Sequence, residues 1–232
     1  MHVPDGFLDA PTSVATAGVA VAGVAIALRG ARRELDDRTT PMAGLVAAFV
    51  FAAQMLNFPV GAGTSGHLLG GALAAVLVGP WTGCLCLSVV VIVQSLLFAD
   101  GGITALGTNI TLMSLVAVAV GWLGFRGAQR LLPTTTASVA PAAAVGAFLS
   151  VPVAAAVFTG LYAAGGAAPI PFGSLLATML GWHLLIGIVE ALITWLTVAS
   201  IVAVRPDLVR GARPALAAGE LEIRAPATRD AG

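Results

Sequence analysis

The chain has 232 residues, of which 58% are hydrophobic and only 9% charged, against about a quarter charged in an ordinary soluble domain; it reads as an all-α, polytopic integral membrane protein. Its formal net charge is zero, and no basic stripe with interleaved aromatics exists, which excludes nucleic acid as a partner. All 11 basic residues are arginine, so the chain cannot build the phosphate loop of a conventional ATPase, which needs a lysine; ATP-driven work would have to come from a partner.

The first stretch is Met1-His2-Val3-Pro4-Asp5-Gly6. The first 11 residues hold Pro4, Asp5, Asp9 and Pro11 and no Lys or Arg, unlike a signal peptide with its basic start. They are therefore expected to be uncleaved, and Met1 to be retained beside the bulky His2. A free amine on Met1 and the backbone nitrogen of His2 close a five-membered ring around a metal. The same backbone nitrogen and Nδ1 of the His2 ring close a six-membered one. Three nitrogens are thereby held in one plane, and a fourth from elsewhere completes a square suited to Ni(II) or Cu(II), not to Mg²⁺ or Ca²⁺. The metal displaces an amide proton, so binding releases protons and fails at low pH. Pro4 offers no competing N–H and biases Val3 toward an extended conformation, making the terminus a stiff peg.

About 20 apolar residues cross a bilayer core, and on that ruler seven segments follow, near 12–28, 41–57, 67–79, 83–99, 105–125, 137–163 and 175–204. On the second, Ala43/Ala47 and Ala48/Ala52 have the small-xxx-small spacing that lets helices approach closely. The third is short and begins in a glycine-rich stretch, so part of it is expected to be re-entrant. Cys84 and Cys86, two apart on the fourth, point away from each other on a helix and predict neither a disulfide nor a zinc site. The sixth is alanine-rich, and Pro141 and Pro152 are expected to kink it.

Arginines set the expected orientation. Arg29, Arg32, Arg33 and Arg38 follow the first segment, Arg126 and Arg130 the fifth, and Arg205, Arg210, Arg213, Arg224 and Arg229 the seventh. With seven spans and an outside N-terminus, all 11 fall on the cytoplasmic side of the cell membrane. His2, the loop 58–66, the loop near Asp100 and the loop 164–174 then face outward. Residues 1–204 form the transmembrane unit, and 205–232 a polar cytoplasmic tail, read as mobile.

The outer loop before the third segment reads Asn57-Phe58-Pro59-Val60-Gly61-Ala62-Gly63-Thr64-Ser65-Gly66-His67. Its small residues allow close backbone approach, and irregular backbone at membrane depth is tolerated only inside protein or around water. The terminal peg would be such a surrounding. His67 is then placed to supply the fourth nitrogen, with Ser65 as a supporting position. Inside the membrane, ionisable groups are functional candidates. His183 and Glu190 lie two turns apart on one face of the seventh segment. His183 either orients the bound terminus by a hydrogen bond, or the pair is satisfied by neighbouring hydroxyls or through water. Glu190 is expected to be protonated or hydrogen-bonded and not a ligand. Asn57, Gln94 and Asn109 are expected to satisfy loop backbone. Asp5 has two readings: it offsets the residual charge of the bound metal, or it caps a turn with Gly6.

The stretches Met-His-Val-Pro-Asp-Gly-Phe-Leu at 1–8, Asn-Phe-Pro-Val-Gly-Ala-Gly-Thr-Ser-Gly-His-Leu-Leu-Gly at 57–70 and Ala-Asp-Gly-Gly-Ile-Thr-Ala-Leu-Gly at 99–107 resemble the NikM/CbiM family. These are substrate-binding membrane subunits of energy-coupling-factor (ECF) transporters for nickel and cobalt. The resemblance runs from residue 1 to about 204. Val3 stands where the family usually has Ile, and Gly61 where it has Pro or Ala; neither is a ligand. The resemblance implies a metal held by the Met1 amine, the His2 amide and imidazole, and His67. It also implies a transport subunit without enzymatic activity or catalytic cofactor, whose cargo is Ni²⁺ or Co²⁺. Its implied partners are a transmembrane coupling subunit docked on an alanine face, two ATP-binding-cassette ATPases and, as an optional component, a small accessory membrane subunit. Two other readings remain: an ECF subunit for an organic vitamin, and an intramembrane metal or haem protein using His67 and His183, for which no His-Glu-x-x-His cluster exists.

Overall fold

The computed structural model describes residues 2–221 apart from 38, 57, 62 and 63, and only the backbone of 58–61, 64, 65, 220 and 221. Its helices are α1 (Ala10–Ala31), α2 (Thr39–Gln54), α3 (Gly71–Val78), α4 (Pro80–Leu97), α5 (Leu106–Leu131), α6 (Val139–Gly165), α7 (Phe172–Val204) and α8 (Arg213–Leu221). Five of them, α1, α4, α5, α6 and α7, are long and apolar enough to cross a membrane, and α2 is a shorter apolar helix. The molecule is a multi-pass, all-α membrane bundle. A small antiparallel hairpin, β1 (Phe58–Gly61) and β2 (Thr64–Gly66), decorates it, pairing Phe58 with Gly66 and Pro59 with Ser65.

The helix starts follow their local chemistry. Asp9 caps α1 by accepting the Thr12 N–H at 2.9 Å. Pro80 opens α4, where a missing N–H has no intrahelical bond to lose. Pro141 falls in the first turn of α6 for the same reason, so only Pro152 interrupts that helix from within. It cannot donate to the carbonyl of Phe148. Gly187 of α7 packs there instead: a Cβ on it would stand 3.0 Å from the Phe148 oxygen.

The third crossing is the unusual one. Every residue of α3 is buried, as expected of a helix that is apolar all round. Eight residues rise only about 12 Å, well short of a bilayer core of about 30 Å. The irregular residues 67–70 that lead into it extend the crossing, at up to about 3.5 Å each. Its far end is Gly79, whose missing side chain leaves room for Glu34 and Arg210.

The two ends of the bundle differ in chemistry. One end carries the N-terminal strap (residues 2–9), the hairpin and the loops 98–105 and 166–171. The other carries the described arginines. There the buried Glu34 accepts the Thr82 N–H at 2.7 Å, capping α4, while Arg210 Nε stands 3.9 Å from it. Residues 206–212 are therefore packed against the bundle, although they fall within the stretch expected to be a polar tail: Val209 and Ala212 are fully buried. Gln129 Nε2 also donates to the Gly211 carbonyl at 3.1 Å. The reason is local, since an apolar Val209 and two small residues, Gly211 and Ala212, interrupt an otherwise charged run.

Candidate metal-binding site

The N-terminal strap is held along its whole length. Val3 gives its N–H to Asn109 Oδ1 at 2.7 Å, and its carbonyl accepts from Asn109 Nδ2 at 3.1 Å and from the Gly102 N–H at 2.9 Å. Asp5 Oδ1 accepts the Thr104 N–H at 2.7 Å and the Thr104 hydroxyl. Phe7 packs on Phe158 and Tyr162 of α6, with ring centroids 5.7 and 5.5 Å away. The Phe7 carbonyl accepts the Ala167 N–H at 3.0 Å, and the Asp9 N–H reaches the Gly165 carbonyl at 2.7 Å. Val3, Phe7 and Leu8 are buried, so the strap is both hydrogen-bonded and apolar on its inner side.

This strap places His2 inside the protein, 6% exposed, against the fully buried His67. Their ring centroids are 4.5 Å apart with planes inclined by 31°. His2 Nε2 lies 3.1 Å from Gln94 Oε1. An amide oxygen can only accept, so Nε2 is the donor here and Nδ1 is the nitrogen through which this ring can bind a metal. On His67 the order is reversed. Its Nδ1 donates to the Leu68 carbonyl at 2.7 Å, so Nε2 is the nitrogen through which this ring can bind a metal. Outer partners of this kind fix which ring nitrogen is available to a metal.

The peptide bearing His67 is itself clamped. Glu190 of α7 accepts the N–H groups of Leu69 and Gly70 at 2.6 and 2.9 Å. Gln54 of α2 donates to the Leu69 carbonyl at 2.7 Å. These bonds supply what an irregular backbone needs at membrane depth. Glu190 is thus a hydrogen-bonded support for the His67 segment. His183 is fully buried and uses Nδ1 on the Met179 carbonyl of its own helix at 2.7 Å. Its Nε2 is buried with no partner among the described residues, and His67 lies within electrostatic range of both His2 and His183.

Met1 lies outside the described residues, as do Asn57 and the side chain of Ser65. Asp5 is exposed and its carboxylate is engaged with Thr104; the turn with Gly6 is closed by the backbone, Phe7 N–H to the Pro4 carbonyl at 3.4 Å. The Asp5 carboxyl is held below its ordinary range chiefly by the Thr104 hydroxyl, then by the Thr104 N–H. The carboxylate that does approach His2 is Asp100, with Oδ1 3.1 Å from Nδ1. Asn109 satisfies backbone as expected, but that backbone is the strap. Gln94 binds a side chain, that of His2. The signal for Gln94 was its standing as a lone amide in an apolar segment, and for Asp100 its place in the stretch 99–107. Among the described residues no group of three or more His, Cys, Asp and Glu side chains converges as a metal site.

The chain matches the CbiM family, described as "Cobalt uptake substrate-specific transmembrane region", over residues 2–208. It belongs to the CbiM family. A putative metal transport protein of Haloquadratum walsbyi is 41% identical to this CbiM-family chain over 210 residues, covering 90% of this chain and 93% of that one. The fused nickel transport protein NikMN of Rhodobacter capsulatus is 36% identical over 236 residues, 97% of this chain and 68% of that protein. The crystal structure of a truncated transition metal transporter superposes with a TM-score of 0.80 at 29% identity, over 88% of this chain and 99% of the other. The relatives are transport proteins and not enzymes.

Proposed function

We propose that this CbiM-family chain is the substrate-binding subunit of an ECF-type transporter and captures a divalent transition metal, Ni²⁺ in preference to Co²⁺. The ligands are the Met1 amine, the His2 amide nitrogen and Nδ1, and His67 Nε2. The observation that carries this reading is the pair of buried imidazoles, 4.5 Å apart, each with its other nitrogen engaged by an acceptor oxygen. Two rings so disposed can occupy adjacent corners of one metal square. The planar nitrogen set favours Ni(II), and by the Irving–Williams order Cu²⁺ binds at least as well, so selection in the cell rests on metal supply.

The distribution of arginines supports an orientation with the strap outside and Arg205 onward in the cytoplasm. A chain without lysine takes its driving force from partners: a transmembrane coupling subunit, two ATP-binding-cassette ATPases and, where present, a small accessory membrane subunit. On α2, Ala43 and Ala47 are partly buried, whereas Ala48 and Ala52 are exposed, which supports the latter pair as the docking face for the coupling subunit.

The test is titration of the purified protein with Ni²⁺ and Co²⁺, beside His2→Ala and His67→Ala. Loss of tight binding in both variants is expected. His67 is fully buried, so His67→Ala also costs stability, about 1–3 kcal/mol for a lost buried partner, and His2→Ala is the cleaner variant. Wild-type affinity in His2→Ala would sink the reading.

A further inference from the structure

A carboxylate at the metal position is a feature that neither the terminal chelate nor the loop histidine requires. Asp100 Oδ1 stands 3.1 Å from His2 Nδ1, and its side chain is only 18% exposed. The ring is thus flanked by oxygen on both sides, Gln94 at Nε2 and Asp100 at Nδ1. A carboxylate held at this distance favours positive charge at Nδ1, whether a proton or a bound metal supplies it.

The backbone places this carboxylate deliberately. Asp100 sits between two residues with left-handed φ, Ala99 at 52° and Gly101 at 94°. Alanine adopts that conformation rarely, and such residues persist where the surroundings enforce them. The enforcing contact is the Asp100 N–H, which donates to the Gln94 carbonyl at 3.1 Å. Gln94 therefore holds Asp100 with its main chain and His2 with its side chain. Gly101 backs onto the His2 ring, leaving 3.1 Å between a notional Cβ and Cδ2.

We infer that Asp100 is a positioning and charge-balancing residue of the metal site, an inference that rests on the terminal-chelate reading. A divalent metal bound through one deprotonated amide and three neutral nitrogens keeps one positive charge in a buried setting, where uncompensated charge is costly. Asp100 supplies the compensating negative charge from the side of Nδ1. It also makes the site selective for a doubly charged cargo, because a singly charged ion on the same ligands would leave the pair with net negative charge.

The experiment uses the full chain purified in detergent, with Ni²⁺ titration and thermal unfolding of the metal-free protein. Asp100→Asn and Asp100→Ser remove the charge, Asp100→Glu keeps it, Asp207→Asn is a remote acidic control at the other end, and His2→Ala tests the chelate itself. The charge-free variants are expected to bind Ni²⁺ about 10- to 100-fold more weakly while melting like wild type without metal. Asp100→Glu should recover most of the affinity, and Asp207→Asn should not change it. Wild-type affinity in either charge-free variant, or equal loss in Glu and Asn, overturns the inference. If His2→Ala abolishes binding while Asp100→Asn is normal, only the role of Asp100 falls. If His2→Ala also binds normally, the chelate reading falls and this inference with it.

Discussion

Glu190 accepts the backbone N–H of Leu69 at 2.6 Å and that of Gly70 at 2.9 Å, so a side chain of α7 fixes the peptide two residues beyond His67. A carboxylate serves both donors. A glutamine offers one oxygen and turns its NH₂ toward the second N–H. Glu190→Gln is therefore expected to cost about 2 kcal/mol, the scale of a hydrogen bond to a charged group, and to weaken Ni²⁺ binding as His67 loses its rigid mount. Thermal unfolding and metal titration of the same preparation check this; a variant that melts and binds like wild type would show that the clamp is dispensable.

Much of this architecture is legible in the residues alone because it is periodic or local. The long apolar runs that become α1, α4, α5, α6 and α7 declare themselves by length, and the short α3 by the glycines ahead of it. The proposed terminal chelate can be stated from the residues because ring sizes are local chemistry. What escapes is pairing between distant segments, which leaves no period in the sequence. Nothing near Val3 announces Asn109, and nothing near Asp5 announces Thr104. His67, which ends a glycine-rich outer loop in the sequence, is fully buried because the strap closes over it. Glu34, in a stretch that reads as a charged connection, is buried at the start of α4. Its partner Arg210 comes from a tail expected to move freely.

The contact between Gly101 and the His2 ring gives a second test. Gly101 has φ 94°, and an added Cβ would meet Asn109 Nδ2 at 2.9 Å and His2 Cδ2 at 3.1 Å. Gly6, with φ 74°, has nothing within 4 Å of the same notional atom. Both Gly→Ala changes carry backbone strain of about 1–3 kcal/mol. Only Gly101→Ala also pushes on His2. It should therefore lose far more Ni²⁺ affinity than Gly6→Ala, and equal losses would mean that the ring is not seated on Gly101.

The strap should also respond to acid through Asp5. Its folded pKa lies below the ordinary 3.8 because the Thr104 hydroxyl and N–H donate to the carboxylate. A depressed folded pKa contributes stability that is present above the unfolded value and is lost as pH falls through the folded one. Wild type should accordingly lose its advantage over Asp5→Ala below about pH 4. Unfolding temperatures of both proteins between neutral and acidic pH check this; a constant difference across that range would exclude the tether.

The sharpest test shifts the terminus without changing any side chain. Inserting one alanine between Met1 and His2 gives a peptide that still carries an amine, amide nitrogens and an imidazole, and such a peptide can fill all four planar positions by itself. In this structure the strap cannot slide to accommodate it. Val3 is fastened by its N–H and its carbonyl to Asn109, and its carbonyl also accepts from Gly102; the buried Phe7 anchors the strap further along. The inserted residue must go on the His2 side of that fastening, displacing either the amine or the ring by up to about 3.5 Å, more than a metal–nitrogen bond of about 2 Å. The amine, the ring and His67 then no longer share one plane. The insertion is expected to leave some Ni²⁺ binding in purified protein, now insensitive to His67→Ala, and to abolish uptake in cells carrying all partner subunits. Normal uptake by the inserted chain would show that the terminus is not the working metal site.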